Sequence, residues 1–164
     1  MTYPPVLYSA EEGEASATVR SAAAAPDLVY VSGTTVDYLA TGESTGGLFG
    51  LYRWTMPGQG GPGPHFHRTI AESFYVLAGT ITIYDGRAWR PCGPGDFVHV
   101  PPGGIHGFRN DSGERASMLI HFAPGAPREA YFEGNERFAR DGRPPDDVMA
   151  AFYAEHDNVW LPEE

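Results

Sequence analysis

The segment GPGPHFHRTIAESFYVLAG, residues 61–79, places two histidines one residue apart and a glutamate shortly after them. Alternate side chains of an extended strand share a face, so His65 and His67 point the same way, and Glu72 points with Phe74 and Val76. If that face is the core, Glu72 is a carboxylate among aromatic and aliphatic groups. Such a charge costs several kcal/mol unless it is paired or ligates a metal. Two imidazoles and a carboxylate on converging faces form a donor set for a divalent first-row metal. A fourth donor, His106, follows Pro101-Pro102-Gly103-Gly104-Ile105, and a Pro-Gly turn there throws the histidine back inward, with Phe108 on the same face. The same four residues also read as a hydrogen-bonded core cluster without metal. Glu72 has a further reading as a base beside a three-histidine metal: a desolvated carboxylate has a raised pKa, suited to taking a proton from a phenol or enol.

Short, sharply turned elements are needed to bring these residues together, and the flanking pattern supplies them. Leu28–Ala40 is rich in β-branched and aromatic residues and reads as one or two strands. Leu48–Met56 reads as a strand that PGQGGPGP ends. ESFYVLAGTITIYDG reads as a hairpin bent at Ala78-Gly79, with a second closure at Asp85-Gly86. Further strands are expected in AWRPC, on both sides of the Pro-Pro-Gly-Gly turn, and over Ala116–Gly125. This texture indicates an antiparallel sandwich or barrel. After Pro127 the period becomes helical: REAYFEGNERFARDG and PPDDVMAAFYAEHDNVW read as two helices packed on the barrel. The expected divisions are an N-terminal arm over 1–26 with one strand near Ala15–Arg20, a β-barrel over 27–125, and a helical extension over 126–164, one domain overall.

HFHRTIAESFYVLAG fits H-x-H-x4-E-x6-G, and GDFVHVPPGGIHGFRN fits G-x5-P-x-G-x2-H-x3-N. These resemble the two motifs of the cupin superfamily, and the short interval from Gly79 to Gly95 is similar to that of microbial single-domain cupins. One departure is that the first motif opens with a glycine six positions before its first histidine, where this chain has Gln59 between Gly58 and Gly60. The resemblance implies a mainly β fold, an antiparallel double-stranded β-helix or jelly-roll barrel, here with one or two C-terminal α-helices. It implies one divalent transition metal ion (Fe, Ni, Mn, Zn or Cu) held by His65, His67, Glu72 and His106, and a homodimer. More loosely, ESTGGLFGLYRWTMPGQGGPGPHFH and FAPGAPREAYFEG look like bacterial quercetin-dioxygenase-like cupins. Phe74, Val76 and Phe108 are the expected pocket wall, with His121 as a contact entering the barrel. His99 is expected to face outward in a structural role. Asn110 is read as bracing a turn, and Gly79, Gly95 and Gly103 as backbone requirements.

Composition narrows the function classes. The net charge is −10, and all 11 basic residues are arginine. An acidic chain without lysine disfavours nucleic acid and anionic membranes as partners and excludes Schiff-base catalysis. The single cysteine, Cys92, excludes an intramolecular disulfide and reads as a small buried hydrophobe. The N-terminal stretch lacks the basic and apolar regions of a signal peptide, so the expectation is a cytoplasmic bacterial protein. A phosphate ligand is disfavoured: parity turns Arg68 and Arg109 outward and leaves Arg53 open, because nothing local says which face of Leu48–Met56 is inside. The reading is a metal-dependent dioxygenase-like enzyme acting on a small aromatic or enolic molecule. The alternatives are a redox-neutral isomerase, cyclase or lyase, and a non-enzymatic metal or small-molecule binder.

Overall fold

Side-chain alternation decides which faces meet. The computed structural model describes residues 2–161, so Met1 and residues 162–164, the outer ends of the expected arm and extension, lie outside it. Strand β3 (Gly50–Met56) buries Tyr52, Trp54 and Met56, β5 (Ala71–Ala78) buries Glu72, Phe74 and Val76, and β10 (Ala116–Ala123) buries Met118, Ile120 and Phe122. β10 lies between the other two. Ile120 stands opposite Tyr52 on one side and Phe74 on the other, and Phe122 stands opposite Glu72. The face of β3 that parity left open is therefore settled: Tyr52 and Trp54 are inside. Arg53 is outside, its Nε donating to Asp37 Oδ2 at 2.9 Å.

These strands form the middle of a six-stranded antiparallel sheet. β1 (Leu28–Val29), β2 (Thr35–Ala40) and β8 (Phe97–Val100) complete it in the order β1-β2-β3-β10-β5-β8. A second, three-stranded sheet contains β6 (Ile81–Tyr84), β7 (Trp89–Cys92) and β9 (Gly107–Arg109) in the order β7-β6-β9. Ile81, Ile83 and Phe108 from this layer share one apolar core with Phe74, Trp54 and Ile120 from the other. The result is the mainly β, double-stranded β-helix architecture expected from the sequence, with two helices following it.

Three expectations change. β5 and β6 are not a hairpin: β5 pairs with β8 and β10, whereas β6 pairs with β7 and β9. Phe74 and Val76 must face Ile81 and Ile83 across one core, which requires two layers rather than one ribbon. Gly79 makes the crossing at φ 69°, where a Cβ would lie 2.6 Å from the Arg115 carbonyl oxygen. Second, residues 15–20 form no strand: residues 15–19 are exposed, Arg20 is half-buried, and no neighbouring strand offers them a backbone partner. Third, the last helix stops short. α1 spans Arg128–Asp141 and α2 spans Asp146–Glu155. Trp160 continues the four-residue spacing of Phe152 and His156, but the helix ends in a Schellman turn. Asp157 takes φ 53°, and Asn158 N–H donates to the Tyr153 carbonyl at 2.8 Å. The chain then forms β11 (Val159–Trp160), which pairs antiparallel with β4 (His65–Phe66). Among the described residues no helix is long and apolar enough to cross a membrane.

Candidate metal centre

His65 and His106 form an antiparallel bridge in which each backbone N–H donates to the other's carbonyl at 2.8 Å. Directly opposed residues project to the same face, so the two imidazoles stand together, ring centroids 4.4 Å apart. His67, two residues along, projects to the same side, and Glu72 reaches in from β5. One candidate ligand atom from each of the four lies within 4.8 Å of the others, and all four side chains are buried.

The backbone fixes how the imidazoles are presented. His65 Nδ1 lies 2.9 Å from the Gly63 carbonyl, His106 Nδ1 2.9 Å from the Gly104 carbonyl, and His67 Nδ1 2.7 Å from the Asp157 carbonyl. A carbonyl only accepts, so each Nδ1 carries the proton, and the neutral ring keeps its Nε2 lone pair for the centre. Glu72 Oε2 is 3.0 Å from His67 Nε2 and 2.8 Å from His106 Nε2. Without a cation, those contacts need protons on Nε2. A divalent metal satisfies the same atoms through their lone pairs, and three oriented imidazoles with one carboxylate suit it.

A family model described as the cupin domain matches residues 52–122, the span that carries all four residues. This span of the chain is similar to the cupin domain, as its two motifs implied. Over 48 residues it is 40% identical to the quercetin 2,3-dioxygenase of Bacillus subtilis, a match covering 29% of this chain and only 14% of that enzyme. Among solved structures, it is similar to a protein of Thermotoga maritima described as a predicted oxalate decarboxylase. The TM-score is 0.58 at 21% identity, covering 66% of this chain and 99% of that one. It is also similar to the polyketide cyclase RemF of Streptomyces resistomycificus, at TM-score 0.50 and 23% identity, covering 65% of this chain and 82% of that one. These two likenesses show the shared fold.

The charges of the four-residue cluster are set by compensation. Burial pushes the Glu72 carboxyl up, but His106 and His67 outweigh burial and hold it below the ordinary carboxylate range. The raised pKa expected for Glu72 is thereby corrected: the carboxylate is desolvated, yet two ring nitrogens replace its water. Burial draws His106 down, and the Glu72 carboxylate more than reverses this, leaving it raised. His65, lacking such a contact, is lowered by burial, with His106 adding to it, to about 3.

A cavity of about 370 Å³ opens on the cluster, with His65 and Glu72 in its floor. Trp54, Phe108 and Phe122 of the barrel wall it, together with Tyr131 and Phe132 of α1. Of the expected pocket residues, Phe108 lines this space. Phe74 and Val76 lie in the core beneath it, the Phe74 ring 6.0 Å from that of His106. His121 does not enter the barrel. The alternation of β10 buries Ile120 and Phe122, so His121 faces the other way and stacks on Phe49 at 5.6 Å. His99 also faces out, its Nδ1 3.0 Å from Ser73 Oγ. Asn110 is buried and braces its turn, Nδ2 donating to the Glu114 carbonyl at 2.7 Å.

Three residues of the site escaped the sequence reading. Arg128, at the start of α1, is buried. Its Nη1 donates to the His156 carbonyl at 2.7 Å and its Nη2 to Asn158 Oδ1 at 3.0 Å. A signal was present: Tyr131 and Phe132 follow at i+3 and i+4, which puts Arg128 on the apolar face of its helix. Trp160 lies against His65, ring centroids 4.9 Å apart. Asp157 supplies the carbonyl that orients His67. Its carboxylate accepts from the N–H groups of Arg68 at 2.9 Å and Thr69 at 2.8 Å, and from the Thr69 hydroxyl at 2.6 Å.

Proposed function

We propose that this protein is a metal-dependent, dioxygenase-like enzyme acting on a small aromatic or enolic molecule, with one divalent transition metal held by His65, His67, Glu72 and His106. The observation that carries this reading is the convergence of three backbone-oriented imidazoles and one buried carboxylate on the floor of an aromatic-walled cavity. The short likeness to a quercetin 2,3-dioxygenase supports the substrate class. A divalent metal held there supplies Lewis acidity toward a substrate oxygen and, where it is redox-active, a route for dioxygen.

The chain's own groups do the rest. Glu72, ionised and lining the cavity, is the acceptor for the hydroxyl proton of a phenol or enol; because its own pKa is lowered, that transfer depends on a substrate hydroxyl that a bound cation would make acidic. Phe108, Phe122 and Phe132 exclude water, which strengthens every charge interaction inside. Redox-neutral isomerisation or cyclisation is the second reading, favoured by a base that lines the cavity wall and needs no oxidant.

The test is elemental analysis of protein purified without chelator, combined with oxygen uptake on a panel of flavonols and catechols. Near-stoichiometric redox-active metal with substrate-dependent uptake, lost in Glu72→Gln, is the expected result. Stoichiometric metal without uptake moves the protein to the second reading. No metal bound, even on addition, overturns both.

A further inference from the structure

Among the described residues two buried side-chain nitrogens have no hydrogen-bond partner in the protein: Arg128 Nε and Trp160 Nε1. Both residues line the cavity that opens on the metal centre. A buried donor left unpaired is costly and uncommon, and two in one cavity mark where a ligand's acceptors belong. Both are donors only, so the missing partner is an acceptor in each case.

Arg128 is a charge as well as a donor. It is 4% exposed. Its polar contacts are a neutral carbonyl and a neutral amide oxygen, and no carboxylate of the described residues forms an ion pair with it. Its guanidinium otherwise lies over the rings of Tyr131 at 4.4 Å and Phe122 at 5.0 Å. A buried charge without a counter-charge is strongly unfavourable. Glu72 faces the same cavity, but as a metal ligand its charge is taken up by the metal. A dication, Glu72 and Arg128 then leave an excess of positive charge that one ionised hydroxyl does not cancel. A ligand carrying a carboxylate as well does cancel it. The chain's net charge of −10 opposes anions at long range, so this selection is local to the cavity.

The guanidinium is held ready for such a group. Nη1 and Nη2 are each anchored to the segment that follows α2, and Nε, itself buried, has no partner in the protein. We propose that the cavity selects a small aromatic or enolic acid, its carboxylate accepting from Arg128 Nε, a further acceptor taking Trp160 Nε1, and its hydroxyl or enol end directed to the four-residue centre. The position of the hydroxyl end rests on the proposed function. The carboxylate site does not depend on any oxygen chemistry.

The test is calorimetric titration, without oxygen, of zinc-loaded and metal-stripped protein with 3,4-dihydroxybenzoate and its neutral isostere 3,4-dihydroxybenzamide. The acid is expected to bind about tenfold or more tighter than the amide. That ratio collapses toward one in Arg128→Gln. Both affinities fall a few-fold in Trp160→Phe, which keeps the ring against His65 and removes the N–H. No preference for the acid in the wild type overturns the proposal, as does a preference that survives in a folded Arg128→Gln. If Arg128→Gln does not fold, unchanged affinities for both ligands in Trp160→Phe overturn it. A protein that takes no metal but keeps the Arg128-dependent preference overturns the metal reading alone. A protein that takes metal and shows no preference overturns only the carboxylate site.

Discussion

The floor and the roof of the cavity are built from different kinds of information. The floor is His65, His67, Glu72 and His106, placed by strand parity, one antiparallel bridge and a Pro-Gly turn. The roof is Arg128, Tyr131 and Trp160, placed by a helix and by a two-residue strand laid across β4. In the proposed function the floor supplies the donor atoms for a metal, and the roof selects what else enters. They join at two places: β11 pairs with β4, and the Asp157 carbonyl accepts the His67 Nδ1 proton from 90 positions away. A site whose ligands come from compact local motifs can therefore keep its metal chemistry while the covering segment changes what it binds.

The largest expected effect falls on the floor. His67→Ala should lose most bound metal, measured by elemental analysis, while circular dichroism still reports a folded barrel. Full stoichiometric metal in that variant removes the floor from the comparison.

The next effect is pH, and the signs differ within the floor. His65, held to about 3, contributes stability present above about 6.5 and lost as pH falls toward that lower value. Glu72, held low, contributes stability that is lost below about pH 4. His106, raised, works the other way: its contribution is fully present below about 6.5 and disappears as pH rises through its folded-state value. Metal uptake displaces the proton that His106 holds in the metal-free protein. Affinity, read by chelator competition, should therefore weaken on acidification by about tenfold per pH unit for each proton released. An affinity flat between pH 5 and 8 contradicts the proton-filled floor.

A smaller effect tests the joint between floor and roof. Asp157→Ala removes the acceptor for three donors of Arg68 and Thr69 and puts alanine at φ 53°. Metal affinity should fall about tenfold through the disturbed His67 carbonyl contact, and stability by about 1–3 kcal/mol. Asp157→Asn, which tolerates the left-handed conformation, should recover part of the stability. Unchanged metal affinity in Asp157→Ala, measured the same way, separates the roof from the floor. The smallest effect belongs to His121→Ala. This histidine lies on the outer face against Phe49, so metal content should stay the same and the change in stability should remain within about 1 kcal/mol.

Much of the fold was legible because its signals are local. Period-2 alternation marked β3, β5 and β10, and the glycines at 79, 95 and 103 do adopt positive φ. The false hairpin at Ala78-Gly79 shows the limit: adjacent strands joined by a short turn look alike whether they pair or cross between layers. The outward turn of His121 follows from the alternation of Ile120 and Phe122, which the sequence contained but did not orient.

By itself, the sequence determined the donors of the centre, because the spacing of His65, His67 and Glu72 and the turn before His106 act over a few residues of backbone geometry. Only the tertiary structure decided what covers them. A helix end at Asp157, a buried arginine at the head of α1 and a tryptophan laid against His65 depend on which surfaces of distant segments meet. No local period encodes that choice. It is made by burial and by the pairing of polar groups across the assembled core.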